Sequence, residues 1–566
     1  MRRFALTLGF ALLAGLPAAA QSPQPAQAPQ PPFGEEIDVR VVNVEAVVTD
    51  RQGNRVPGLQ PGDFRLLVDG KEVPIEYFTE VRGGQAVTPE APGAAGNEGR
   101  TPVVPGLASL APGSPVGTSY LLFIDDYFSL APRRNEVLRA LQDDLGRLGP
   151  EDRMAVVAYD GGELKMLTTW SNSSREINRA LQEAIARPAR GIDRLTDLRT
   201  FESSRRFSAG SVPGAGMPRA ATSGILSFEE RNYAQELARQ VADVSGAAAS
   251  ALRGFAAPPG RKVMLLLSGG WPLRPVDYVV NSFERTILTR EAPEGEALLR
   301  PLIRTANLLG YTIYPVDVPG VEAVSADATE SGGPSLGTSN VREQEIEDSL
   351  ELVAARTGGR PLVNGLRAAA LEQAAADTRS YYWLGFTPTW QRNDQPHAVK
   401  VEVRRDDLRG LAVRSRDSFF DVSRRAEVTM MVESAMLFGS APGFATMPVQ
   451  VGTPKRAGRG QVEVPVTVSI PADAFTPLPA EGKFAAQLEL RIASVDERGG
   501  RSAIPVIPLS LAGDKPPAAG SSLTYQTSLR LRDALQHLVV ALYDPVSGKI
   551  TTGEVDFIPE KARRKR

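Results

Sequence analysis

The spacing of apolar and polar positions changes along the chain, and each change predicts a different kind of element. From Ile37, "IDVRVVNVEAVVTD", "FRLLVDG" and "KEVPIEYF" alternate and are rich in β-branched residues, with turns at "RQGN" and Asp69-Gly70. This predicts a small all-β unit over 37–82. Residues 83–117 are rich in Gly, Pro and Ala without periodicity and read as a linker. At Ser119 apolar strands begin to alternate with amphipathic helices, the pattern of an α/β domain with a buried, mainly parallel sheet over 118–390. Strand "YLLFI" (120–124) leads to a helix at 133–148 with Val137, Leu138, Leu141, Leu145 and Leu148 on one face. The two-residue link "GG" between "RMAVVAYD" and "ELKMLTTW" permits only an antiparallel hairpin, so the sheet is not purely parallel.

Further helices are predicted at 175–187, 226–256, 296–309, 342–357 and 366–377, with the basic, glycine-rich segment 187–224 as a loop. "YYWLGFTP" follows the last helix and is expected to pack on the α/β domain, before a β extension over 391–425. Alternation with regular turns over 426–560, beginning with "EVTMMVESAM", predicts a β-sandwich, and "KARRKR" (561–566) a solvated basic tail.

The first residues depart from all of these patterns. Arg2 and Arg3, an apolar run from Phe4 to Leu16 and Ala18-Ala19-Ala20 follow the order of a secretory signal peptide over 1–20, with a Pro/Gln-rich tether over 21–36. The chain is thus expected to be secreted or periplasmic. No later apolar run reaches the ~18 residues of a membrane span. There is no cysteine, hence neither disulfides nor a thiol nucleophile, and a formal net charge of -2 points away from nucleic acid.

Candidate chemistry centres on "YLLFIDDYFS" (120–129), where a buried strand ends in Asp125 and Asp126. In a doubly wound sheet, ligands bind outside the carboxyl ends of the strands. Adjacent carboxylates lack the separation of a hydrolytic pair. His397 and His537 fall in different units, which leaves little material for a Ser-His-Asp triad, and the glycines match no phosphate loop.

Together "VTDRQGNRVPGLQPGDFRLLVDGKEVPIEYF", "LLFIDD", "GRKVMLLLSGG", "YTIYPVDVPG" and "YYWLGFTPT" resemble the VWFA-related family of exported bacterial proteins, over about 37–420. The resemblance implies a Rossmann-like von Willebrand factor type A sheet flanked by N-terminal and C-terminal all-β domains. It also implies a metal-ion-dependent adhesion site, Asp-x-Ser-x-Ser with a loop Thr and a further Asp, which holds Mg²⁺ (or Mn²⁺ or Ca²⁺) through oxygen ligands. Asp125 and Ser129 match two of its positions, Tyr127 replaces the middle serine, and Gly269 stands where the second Asp is expected. Asp126, Thr196, Thr222 and Ser268 are the accessory ligands available. The site is therefore degenerate, and the competing expectation is that Asp125 accepts loop N–H groups while Asp126 faces water. The expected function is protein binding or adhesion in the envelope or outside the cell, without catalysis. The alternatives are an envelope hydrolase and a structural envelope component.

Overall fold

The computed structural model describes residues 41–87, 113–210, 228–255, 260–278, 295–318, 336–438 (apart from 364, 365, 367, 368, 390, 392 and 405–409), 445–480, 483–496 and 502–558. The predicted signal peptide, tether and basic tail lie outside the described residues. In chain order the first strands are β1 (Val42–Thr49), β2 (Phe64–Val68), β3 (Lys71–Val73), β4 (Tyr77–Arg82) and β5 (Gln85–Val87). Next come β6 (Thr118–Asp125), α1 (Ala131–Asp143), β7 (Arg153–Tyr159), β8 (Leu164–Ser171), α2 (Ser174–Ala186), α3 (Gly191–Gly210) and α4 (Phe228–Gly254). They are followed by β9 (Arg261–Ser268), α5 (Glu296–Leu309), β10 (Thr312–Asp317), α6 (Leu336–Thr357) and α7 (Ala370–Thr378). Then β11 (Tyr381–Phe386), β12 (Pro396–Val403), β13 (Ala412–Arg414), β14 (Ser418–Phe420) and α8 (Arg424–Phe438) lead to the C-terminal strands. These are β15 (Ala445–Thr446), β16 (Val449–Val451), β17 (Lys455–Gly458), β18 (Gln461–Pro471), β19 (Leu478–Ala480), β20 (Lys483–Asp496), β21 (Val506–Gly513), β22 (Ser522–Arg532), β23 (Gln536–Tyr543) and β24 (Ile550–Phe557).

One sheet runs β10-β9-β6-β7-β8. Its first four strands are parallel and β8 pairs antiparallel with β7, as the short Gly-Gly link requires. Every residue of β6 is buried because helices cover both faces. Leu121 and Phe123 pack with Val241, Val244 and Leu252 of α4 and Leu299 and Leu302 of α5. Tyr120, Leu122 and Ile124 pack with Val137, Leu138 and Leu141 of α1, Ile177 and Leu181 of α2, and Leu371 of α7.

That sheet does not define the class of the molecule. The remaining strands form sheets of five, four, six and four strands, and every pair in them is antiparallel except β15–β24. The expectation of an α/β, doubly wound Rossmann-like von Willebrand factor type A fold is therefore corrected to a mainly β architecture with a single α/β layer. The alternating segments that read as appendages contribute most of the strands.

The N-terminal strands do not stand alone either. The five-stranded antiparallel sheet runs β13-β1-β11-β4-β5 and faces β14-β12-β2-β3. They share a core of Val44, Ala46, Phe64, Leu66, Tyr382, Leu384, Phe386, Val399 and Val401. Strand β11 inserts between β1 and β4, so "YYWLGF" completes the N-terminal sheets instead of adding to the α/β layer. At the C-terminus β18, β20 and β23 supply the core of a second pair of sheets through Val464, Val466, Val468, Leu488, Leu490, Ile492, Leu538, Val540 and Leu542. Where "EVTMMVESAM" was expected to be a strand, α8 forms, and Val428, Val432, Ala435 and Met436 pack on Ala493, Val539 and Ala541. The Glu433–Arg253 ion pair ties α8 to α4. No helix among the described residues is long and apolar enough to cross a membrane.

Candidate functional site

Strand β6 delivers Asp125 and Asp126 to the carboxyl end of the α/β sheet, both fully buried. Their side chains diverge, as neighbouring strand residues must. Asp125 Oδ1 accepts the backbone N–H groups of Tyr127 (3.1 Å) and Phe128 (2.9 Å). Its Oδ2 accepts Ser268 Oγ (2.7 Å) and Trp271 Nε1 (3.0 Å). Four donors thus converge on one carboxylate, two from its own loop and two from the end of β9 and the loop beyond. The Trp271 backbone N–H donates to Ser349 Oγ on α6 (3.1 Å), which extends the same network to a third segment. Burial pushes the Asp125 carboxyl upward, and the hydrogen bonds from Ser268, Phe128 and Trp271, with the charge of Arg194, oppose that shift.

Asp126 corrects the expectation of a water-facing side chain. Its Oδ1 meets Arg134 Nη1 at 2.5 Å and its Oδ2 meets Arg187 Nε at 3.1 Å. Arg134 is itself fully buried and also donates to the Arg187 carbonyl (2.8 Å). The Asp126 backbone donates to Tyr159 O (2.8 Å) and accepts from Arg190 N (2.7 Å). Asp126 therefore anchors the segment between α2 and α3, just as Asp125 anchors the one after β9. Burial raises its carboxyl, countered by the two guanidiniums.

Ser129 is buried and its Oγ has no hydrogen-bond partner among the described residues. Its carbonyl accepts from Gly191 N (3.1 Å), which seats the start of α3. Thr196 is on α3, exposed, and its Oγ1 donates to Ile192 O (3.0 Å). Thr222 lies outside the described residues. Part of the segment expected as a loop over 187–224 is the helix α3. Tyr127 packs its ring over the β7–β8 turn, where a Cβ on Gly161 would lie 2.4 Å from it.

This donor set does not fit a divalent cation. The lone pairs of Asp125 already take four N–H and O–H donors, and an indole N–H can only donate. Ser268 spends its hydroxyl hydrogen on Asp125, Asp126 is held by two arginines, and Thr196 donates its hydroxyl to a carbonyl of its own helix. No group of three or more His, Asp and Glu that could hold a metal occurs among the described residues. The histidines are dispersed as well: His397 pairs with Asp69 (2.8 Å) and His537 with Asp556 (2.8 Å), in different sheets.

Sequence reasoning did not find Trp271, Arg134, Arg187 or Arg194. For Arg134 a signal existed: with Val137, Leu138 and Leu141 it occupies positions i, i+3, i+4 and i+7, the inward face of α1. For Trp271 the signal was a donor-only aromatic directly after the "SGG" that ends a buried strand, which needs an acceptor when buried. Arg187 and Arg194 carry no comparable local pattern.

No protein-family model matches the chain, and no match was found among curated proteins. Among solved structures, a structural-genomics target, SoR45, is 15% identical with a TM-score of 0.13, covering 20% of this chain and 88% of that one. The pilus adhesin SpaC from Lactobacillus rhamnosus GG is 10% identical with a TM-score of 0.26, covering 78% of this chain and 56% of that one. Three N-terminal domains of the type V pili tip protein Mfa5 from Porphyromonas gingivalis are 9% identical with a TM-score of 0.22, covering 91% of this chain and 78% of that one.

Proposed function

We propose that the chain is an exported, protein-binding scaffold of the adhesion type, whose recognition face is the carboxyl end of the α/β sheet. The observation that carries this reading is the use made of the two adjacent aspartates. Asp125 fixes the segment after β9 and Asp126 the segment between α2 and α3, so the loops of this face are held in one arrangement before any partner arrives. Preorganised loops bind at a lower entropic cost than mobile ones. The charged, apolar and small-residue order of residues 1–20 supports export, and the resemblance to exported VWFA-related proteins supports the envelope or the extracellular space as the setting.

The test uses the full chain immobilised against an envelope extract, with captured proteins quantified by mass spectrometry. Ile192, 60% exposed at the start of α3, is the probe of the face, and Val506, 42% exposed on β21, is the control on the C-terminal sheets. Ile192→Asp is expected to lower capture of a principal partner about tenfold while Val506→Asp leaves it unchanged. A partner set indifferent to Ile192→Asp but lost with Val506→Asp would move the binding role to the C-terminal sheets and overturn this reading.

A further inference from the structure

Helices α3 and α4 enclose a cleft of about 440 Å³. One wall is aromatic: Phe201 of α3 and Tyr233 of α4 stack with ring centroids 4.3 Å apart and planes 5° from parallel. The floor holds Arg194, which is only 8% exposed and lies over the Phe128 ring with Cζ 3.7 Å from its centroid. Among the described residues this guanidinium makes no direct ion pair and its buried Nη1 has no hydrogen bond, although its charge reaches the Asp125 carboxylate behind it. Two other arginines of this face, the buried Arg134 and the partly buried Arg187, are each paired with Asp126.

A buried guanidinium with an unsatisfied Nη1 is expensive, and stacking on Phe128 with the more distant charge of Asp125 offsets only part of that cost. Its planar fork matches a carboxylate geometrically, two parallel N–H donors to two oxygens. The charge of the walls limits the ligand further. Asp197 and Glu236 also line the cleft, and Glu236 is already taken by Arg239 (2.5 and 3.0 Å) and Gln240 (3.0 Å). A polyanion would be repelled by these acids, whereas a single carboxylate attached to an apolar body fits both Arg194 and the aromatic wall.

We propose that the α3–α4 cleft is a binding site for a monocarboxylate with an apolar body, anchored by Arg194. This rests on the reading of the carboxyl-end face as a binding surface and gives that surface a partner chemistry. The carboxylate belongs either to an acidic side chain of a partner polypeptide or to a free small acid.

Calorimetry on the full chain at low salt tests it with benzoylglycine, and with benzoylglycinamide as the uncharged control. The acid is expected to bind at least about tenfold more tightly than the amide, the usual scale of a charge-assisted hydrogen bond. Arg194→Gln should abolish that preference. Because Arg194 is buried, a second variant is needed: Asn232→Trp, at an exposed position of the cleft wall, should block the acid while circular dichroism shows the fold retained. An octapeptide capped at both ends, with one internal glutamate beside a phenylalanine, distinguishes the sources. Tighter binding than benzoylglycine assigns the site to a polypeptide, and weaker binding assigns it to a free acid. Equal binding of acid and amide, binding of neither acidic probe, or full acid binding by Arg194→Gln overturns the proposal. In that event a loss of partner capture in Ile192→Asp would still leave the recognition face standing.

Discussion

Asp125 and Trp271 are 146 positions apart in the chain, yet they make the hydrogen bond that joins two loops of the candidate face. The aspartate was legible from sequence, because an apolar strand ending in carboxylates at the carboxyl end of an α/β sheet marks itself. Its partners were not, since no local period links a strand end to a tryptophan beyond the next parallel strand. The consequence is testable at that tryptophan. Trp271→Phe keeps a buried ring but removes the indole donor, leaving Asp125 with three donors in a fully buried site. The expected cost is about 2 kcal/mol of stability in urea denaturation, with the slope of the transition unchanged.

At the scale of elements, the helices whose apolar residues follow the helical period were legible, and those whose composition argued otherwise were not. Helix α5 spans Glu296–Leu309, as its Leu298, Leu299, Leu302 and Ile303 indicate. Helix α8 lies where alternation predicts the first strand of the C-terminal sheets, although Val428, Val432, Ala435 and Met436 share one helical face. Helix α3 was hidden by the glycines and arginines around it. Its docking depends on Gly191, where an added Cβ would lie 2.5 Å from the Ser129 carbonyl oxygen. Gly191→Ala is therefore expected to push α3 off the loop after β6. A loss of about 1–3 kcal/mol should follow, read by denaturation. Substitution at Gly146, with nothing within 4 Å of its Cβ position, is the control and should stay near wild type.

In the whole molecule, the N-terminal sheets are locked to the α/β layer by a buried cluster that the sequence did not announce. Asp377 on α7 pairs with Arg55 after β1 and with Arg414 on β13 (2.8 Å), and accepts from Tyr314 Oη on β10 (2.5 Å). Burial opposes ionisation of Asp377, but the Arg414 and Arg55 guanidiniums outweigh it and hold the carboxyl well below the ordinary range. A carboxyl lowered by folding stabilises the fold fully above its unfolded pKa of about 3.9, and that contribution is lost as the pH falls toward the folded value. Asp377→Asn is expected to cost about 3 kcal/mol at neutral pH, the scale of breaking a buried pair. Its deficit against wild type should shrink progressively below about pH 4. A deficit that is constant across this range would mean that Asp377 acts by shape and not by charge. The wider lesson is that strand segments were legible one by one, while their pairing was not. Strand β11 follows a helix in sequence and joins β1 and β4 some three hundred residues earlier, a choice made by tertiary packing.

Asp125 is a clamp that takes four protein donors on its two oxygens. The most direct measurement is the melting temperature of the chelator-treated wild-type protein and of Asp125→Asn, each with and without millimolar Mg²⁺ or Mn²⁺. No cation-dependent shift is expected in either protein, and the melting temperature of Asp125→Asn should be lower by the same amount in both conditions. A saturable rise with the cation in the wild type, absent in Asp125→Asn, would contradict the clamp role of Asp125.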